Sequence, residues 1–253
     1  MRVILIRLLA IAAIALFLPA QQALAESANE LVAKNLAARG GAEKLAAISS
    51  IRFTGKMVFP GDFELTYRET RLRKNGAALY ESSVQGLTLV QGYNGKIGWR
   101  INPFEGRRDA ERMSQDDTRA LADDATIDGP LLSAKARGST VSYLGREDFE
   151  GTNAHKLRVI DRGGAEYVYY LDPDTYLEIR VVETRKLRGA RQVVAAELGD
   201  YERVNGVYFP FAIQSGPIDA GPSGRQRITI DSAQANIPVN DAMFAMPGAA
   251  RSK

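Results

Sequence analysis

Ile51, Phe53, Gly55, Met57 and Phe59 occupy every second position of one stretch, separated by Arg52, Thr54, Lys56 and Val58. A period of two sends alternate side chains to opposite faces, so this stretch predicts a strand with one apolar face. Pro60-Gly61-Asp62 is turn chemistry, and Phe63, Leu65 and Tyr67 resume the alternation against Glu64, Thr66 and Arg68. Leu79–Val84, Leu87–Tyr93 and Lys96–Ile101 read as further strands. Gln85-Gly86 and Asn94-Gly95 separate them, and Asn-Gly is a strong hairpin signal. After residue 139 the pattern is a meander of seven strands: Thr140–Phe149, Ala154–Arg162, Ala165–Asp172, Leu177–Arg188, Gln192–Arg203, Val207–Gln214 and Arg225–Ala235. Gly163-Gly164, Asp172–Thr175 and Asn205-Gly206 supply turns.

Helical periodicity appears in two places. Ser27 and Glu30 form a capping box, Leu31, Val32 and Leu36 make a modest apolar stripe, and Gly40-Gly41 ends the helix. A short turn, Glu43–Ile48, follows. Between the two groups of strands, Ser114 caps a helix with Asp116 and Asp117 in its first turn. Asp128-Gly129-Pro130 opens another, which carries Leu131 and Leu132, has Lys135 and Arg137 in its last turn and stops at Gly138. The predicted class is mainly β with α: five or six strands, a helical pair and seven strands in one antiparallel sheet. A sheet of that size must curl, and it then encloses more room than two short helices fill.

Composition narrows the setting. Residues 1–25 combine Arg2 and Arg7, an apolar run from Leu8 to Leu18, and the small-x-small site Ala23-Leu24-Ala25. That arrangement predicts a cleaved secretory signal with Glu26 as the first mature residue and an exported, periplasmic destination. The remaining residues, 26–253, suit a single domain. Leaving out Arg2 and Arg7, 31 basic side chains face 30 acidic ones, interspersed as on an ordinary surface. Basic and aromatic residues do mix between Phe53 and Lys74, but as the outward face of strands, so no nucleic-acid partner is expected. There is no cysteine, so disulfides contribute nothing.

Candidate chemistry is sparse. His155 is the only histidine; with no cysteine, a metal site would need three carboxylates, and none is expected. His155 reads as a packing or surface residue of a strand. The pairs Asp116-Asp117 and Asp123-Asp124 read as a solvated helix face. No serine lies in a nucleophile-elbow context, and no phosphate loop or dinucleotide fingerprint occurs. The chain therefore reads as a non-enzyme without cofactor. Trp99, the only tryptophan, lies between Ile97 and Ile101 and ahead of Asn102-Pro103. The pattern admits a core anchor or a cavity wall.

Three stretches carry a resemblance. Tyr93–Arg107, "YNGKIGWRINPFEGR", is similar to an Asp-Gly-Lys plus aromatic strand that ends in Asn-Pro-Phe. Val58–Tyr67, "VFPGDFELTY", is similar to a strand–Pro–strand hairpin, and Val239–Arg251, "VNDAMFAMPGAAR", to a C-terminal Asp-x-x-Phe ending. Together they resemble the LolA/LolB-like superfamily of periplasmic lipoprotein carriers, closest to the LolA-like lipoprotein-sorting group, over about residues 30–247. The resemblance implies an unclosed β-barrel with helices as a lid, and acyl chains of a lipoprotein or lipid as cargo. It also implies inner-membrane donor and outer-membrane acceptor proteins; the carrier itself is expected to be a monomer. On that implication the cavity wall is Phe53, Met57, Phe59, Phe63, Leu65, Tyr67, Leu89, Ile97, Trp99 and Ile101, with Leu131 and Leu132 in the lid. LolA has an arginine immediately before the hairpin proline, linked to lid closure and cargo release; Phe59 stands there in this chain. Two other functions stay open: a lipid-sensing regulatory module of related fold, and a hydrolase on a lipid-like substrate.

Overall fold

The first and last strands of the chain meet in the middle of one sheet. The computed structural model describes residues 27–187 and 189–248. The expected signal segment, residues 1–25, and the Ala25–Glu26 junction lie outside the described residues. Six strands come first: β1 (Ser50–Phe59), β2 (Phe63–Leu72), β3 (Ala77–Val84), β4 (Leu87–Tyr93), β5 (Gly98–Asn102) and β6 (Arg107–Arg112). Seven follow the helical interlude: β7 (Thr140–Phe149), β8 (Thr152–Ile160), β9 (Glu166–Leu171), β10 (Glu178–Leu187), β11 (Ala190–Val204), β12 (Val207–Pro217) and β13 (Gln226–Ala235). Their spatial order is β6-β5-β4-β3-β2-β1-β13-β12-β11-β10-β9-β8-β7. Among the described residues every hairpin is antiparallel, and the single long-range pairing, β1 with β13, joins the two halves.

That order makes β6 and β7 the two free edges, and the sheet is an unclosed barrel. Only β6 lacks a counterpart in the sequence reading. Its residues, Arg107–Arg112, show no apolar alternation because the strand is an edge, where charge discourages pairing with another chain. The chain leaves β6, forms α3 and α4, and re-enters the sheet at β7, so the helical pair spans the gap between the edges.

The helices form as their local signals require. α1 (Ala28–Ala38) has the full capping box, with Ser27 accepting from the Glu30 N–H and the Glu30 carboxylate accepting from the Ser27 N–H at 2.7 Å. α2 (Ala42–Ala46) is one turn. α3 (Gln115–Asp124) is capped by the Ser114 hydroxyl, and α4 (Gly129–Arg137) carries Pro130 in its first turn and ends at Gly138 in the left-handed region. Among the described residues no helix is long and apolar enough to cross a membrane.

Three clusters hold the layers together. Leu45, Ile48, Ile51, Phe53, Val207 and Phe209 join α2 to the central seam of the sheet. Leu31 of α1 and Leu131 of α4 pack on Leu157, Val159, Tyr169 and Leu171 of β8 and β9. The third cluster is treated below. Gly55 lies at the seam itself, where the β1–β13 register shifts. A Cβ there would meet the Thr229 carbonyl oxygen at 2.0 Å, so only glycine admits β13 at this distance.

Candidate functional site

The concave face of the sheet, with α3 and α4 over part of it, borders a half-open cavity of about 590 Å³. Small-molecule sites commonly measure roughly 300–1,000 Å³. Its lining divides by chemistry. Phe53, Met57 and Phe59 from β1, Ile228 and Ile230 from β13, Phe209 and Ile213 from β12, and Ala196 and Leu198 from β11 form one wall. These four strands are consecutive in the sheet, so the apolar surface is continuous. Much of the remaining lining is polar: Tyr67, Glu69 and Arg71 from β2, Tyr80 from β3, Asp123 and Asp124 from α3, Tyr167 from β9 and Glu183 from β10.

Among the described residues six carboxylates line the cavity: Glu69, Asp123, Asp124, Asp128, Glu178 and Glu183. Five have an arginine each. Glu69 pairs with Arg71, and its other oxygen accepts from the Tyr67 hydroxyl. Asp123 pairs with Arg137 and accepts from the Tyr167 hydroxyl at 3.0 Å. Asp128 takes both ends of the Arg73 guanidinium at 2.8 and 2.7 Å, a bidentate contact that also ties α4 to the end of β2. Glu178 pairs with Arg39 at 3.4 Å and accepts from the Tyr201 hydroxyl at 3.1 Å. Glu183 pairs with Arg185. The surrounding tyrosines are held in the neutral form. Burial pushes the Tyr67, Tyr80, Tyr167, Tyr169 and Tyr201 hydroxyls up, and the carboxylates beside them push the same way.

Solved structures share this architecture. A protein described as an outer-membrane lipoprotein-sorting protein domain, from Vibrio parahaemolyticus, superposes with a TM-score of 0.55 at 12% identity, over 85% of this chain and 94% of that one. A LolA superfamily protein from Nitrosomonas europaea gives 0.55 and 12%, over 87% and 98%. The fold is LolA-like. A DUF1329 family protein from Desulfovibrio piger gives 0.59 and 12%, over 86% and 97%. The chain matches no protein-family model and no curated protein by sequence.

Within this LolA-like frame, Phe53, Met57, Phe59, Tyr67, Leu89 and Leu131 line the cavity. Leu65 lies on the same strand face, buried but outside the lining. Leu132 packs against the core beneath α2 rather than over an opening. Phe63, paired with Phe59 at the hairpin tip, is 49% exposed and lines nothing. Ile97 belongs to the Asn94–Ile97 turn ahead of β5 and is half-buried.

Trp99 and Ile101 correct the expected register: they sit on the opposite face of the sheet from the cavity. Leu89 and Gln91 of β4 line the cavity, and their neighbours Val90 and Gly92, which pair with Ile101 and Trp99, point the other way. The indole lies over Gly92, where a Cβ would come within 2.2 Å of the ring. The 3-10 turn Asp241–Phe244 covers it, and the indole N–H donates to the Phe244 carbonyl at 2.8 Å. Trp99, Ala77, Leu79 and Phe244 are thus a small separate core on the convex side. Alternation specifies two faces but not which is concave, and a C-terminal segment can make either one dry. Trp99 emission should therefore be at short wavelength and should not respond to a cavity ligand. Phe244→Ala should shift it to longer wavelength and cost about 3–5 kcal/mol, which denaturant titration would measure. A ligand-dependent shift in the wild type would contradict this placement.

Two other expectations change. Asp116 and Asp117 do sit in the first turn of α3. Asp123 and Asp124 end the same helix and line the cavity, where the helix dipole disfavours negative charge and nearby arginines must offset it. Glu69 and Arg71 were missed, although the alternation that puts Tyr67 inward carries them inward as well. His155 is fully buried, with Tyr143, Arg146 and the Tyr176 ring around it, and is not part of the cavity lining. Among the described residues no three His, Asp or Glu side chains converge as a metal site.

Proposed function

We propose that the protein is a carrier for acyl-chain amphiphiles, a lipoprotein or a free lipid, which it shelters from water in an exported compartment on the way to the outer membrane. The observation that carries this reading is the continuous apolar wall contributed by four consecutive strands, inside a cavity covered by helices. The physical need is plain. A C16 chain has about 15 methylene-sized groups, each costing about 0.8 kcal/mol to expose, so an unshielded crossing costs about 12 kcal/mol. The likeness in fold to a lipoprotein-sorting domain supports the reading. A carrier needs no catalytic group, and the lone histidine lies outside the cavity lining.

The test is binding and recovery. Delipidated protein is titrated with a fluorescent fatty acid, and organic extracts of protein purified from its native compartment are analysed by mass spectrometry. Saturable binding at one site, with an acyl-chain compound enriched in the extract, is expected. Absence of binding together with lipid-free extracts would refute the carrier function.

A further inference from the structure

Five of the six large apolar side chains that are exposed among the described residues gather at one end of the barrel: Phe63, Leu87, Phe104, Val194 and Ile218, each between 36% and 49% exposed. The strand register places them there. Phe63 faces Phe59 across the β1–β2 tip, and Leu87 opens β4 opposite Val84 of β3. Phe104 lies in the Pro103–Glu105 turn after β5, which packs on β4. Val194 pairs with Pro217 of β12, and the Ile218 N–H donates to the Val193 carbonyl at 3.0 Å. The cavity reaches the same end, where Phe59, Leu89, Ser215 and Gln226 line it. Three rim residues continue its wall. Phe63 is directly opposite Phe59, Leu87 is two positions from Leu89, and Val194 is two positions from Ala196, so each shares the concave face with a lining residue. The apolar wall therefore runs out of the cavity into solvent.

We propose that this rim docks on the face of a lipid bilayer that carries anionic lipid, so that an acyl chain passes between bilayer and cavity along apolar side chains. Its purpose rests on the carrier function; the contact itself can be measured separately. Charge sets the kind of surface. The β10–β11 hairpin stands beyond its neighbours, since β10 pairs with β9 only as far as Thr184 and β11 pairs with β12 only from Val194. The projecting part is three residues on each strand, about 10 Å at roughly 3.3 Å per residue. There Lys186 and Arg191 are cross-strand partners, both exposed, and no acidic residue lies between Glu183 and Glu197. Like charges directly opposite each other destabilise a hairpin, and an anionic surface against it offsets that cost. Asp62 and Asp219 sit on the β1–β2 and β12–β13 turns, so the attraction is confined to this hairpin. Turn tips also suit a bilayer face. Their backbone stays at head-group level, where water and phosphate oxygens satisfy it, while Phe63, Leu87 and Phe104 reach the acyl boundary. A protein partner would have to match the shape of tips contributed by several separate turns.

The experiment measures co-sedimentation with two kinds of vesicle, phosphatidylcholine alone and phosphatidylcholine with phosphatidylglycerol at roughly 7:3. Wild type should bind the mixed vesicles at least about tenfold more tightly. The double change Lys186→Glu and Arg191→Glu should remove that preference. The double change Phe63→Asp and Leu87→Asp should weaken binding to the mixed vesicles by about tenfold. All four positions are exposed, so both variants should keep the circular dichroism and the solution affinity for a fluorescent fatty acid. Phe63→Trp adds an indole at the tip, whose emission should move to shorter wavelength on mixed vesicles and be quenched by brominated acyl chains. Equal binding to the two vesicles, binding that ignores the apolar pair, or an added indole that brominated chains do not quench would each overturn the docking assignment. No vesicle binding with fatty-acid binding intact would turn the rim toward a protein partner, overturning the bilayer assignment and leaving the carrier function standing. Vesicle docking of the expected kind without fatty-acid binding would support the rim and overturn the carrier function alone.

Discussion

Replacing Ala196 with tryptophan is expected to lower acyl-chain affinity by roughly thirtyfold without unfolding the protein. Ala196 belongs to the apolar wall, and its β11 position places it opposite Val181 of β10 and Ser215 of β12. An indole there projects into open space rather than into packed side chains, so the overpacking that penalises small-to-large changes in a core is reduced. The ring occupies volume that a chain would otherwise fill. If it displaces two or three methylenes, the loss is about 2 kcal/mol at about 0.8 kcal/mol per methylene, which is the stated factor. The check is a titration of both proteins with the same fatty acid, with far-UV circular dichroism and a denaturant midpoint as controls for folding. Unaltered affinity with an intact fold would remove the cavity from the function.

Leu131→Asp should do the opposite, destroying the fold before any effect on binding can be read. Leu131 is 2% exposed and is wedged between α1 and the strands β8 and β9, besides touching the cavity. Truncating a buried leucine costs about 2–5 kcal/mol, and a buried unpaired carboxylate adds to that. Domains of this kind hold about 5–15 kcal/mol in total, so the variant should show weak cooperativity or no folded baseline at all. Leu132→Asp, at a half-buried site on the rim of another cluster, should cost about 1–2 kcal/mol and remain folded. Denaturant titrations of the two variants decide the matter. A stable Leu131→Asp protein with impaired uptake would make α4 a detachable lid, whereas the packing describes a helix that is part of the core.

That contrast shows where local signals stop. A capping box, a proline at a helix start and a glycine at its end located α1 and α4 from the chain alone, because each is satisfied by groups within one turn. Alternation located twelve of the strands for a similar reason: side-chain direction along a strand is a property of the backbone repeat. β6 escaped because an edge strand has no apolar face to declare.

The cavity is divided in the same way. Phe53, Met57, Phe59, Tyr67 and Leu89 were legible as one apolar face, and the curl of a large sheet made that face concave around β1. Glu69 and Arg71 were legible in principle, as charges in phase with Tyr67, but a charge on an inward face has no local explanation. Its reason is the partner, and the partners come from elsewhere: Arg39 for Glu178, Arg137 for Asp123 and Arg73 for Asp128 are 139, 14 and 55 positions apart.

The sequence by itself determined twelve of the thirteen strands, the ends of α1 and α4 and the apolar face of β1, because each depends on neighbours within a few residues. Only the tertiary structure decided which face of β5 is dry and what covers Trp99, since Phe244 reaches that indole from 145 positions away. It also decided that five cavity carboxylates each form an ion pair with an arginine, and that Asp124 faces Arg185 and Arg71. Charge balance around the cavity depends on which side chains the sheet gathers there, and no repeat along the chain records that.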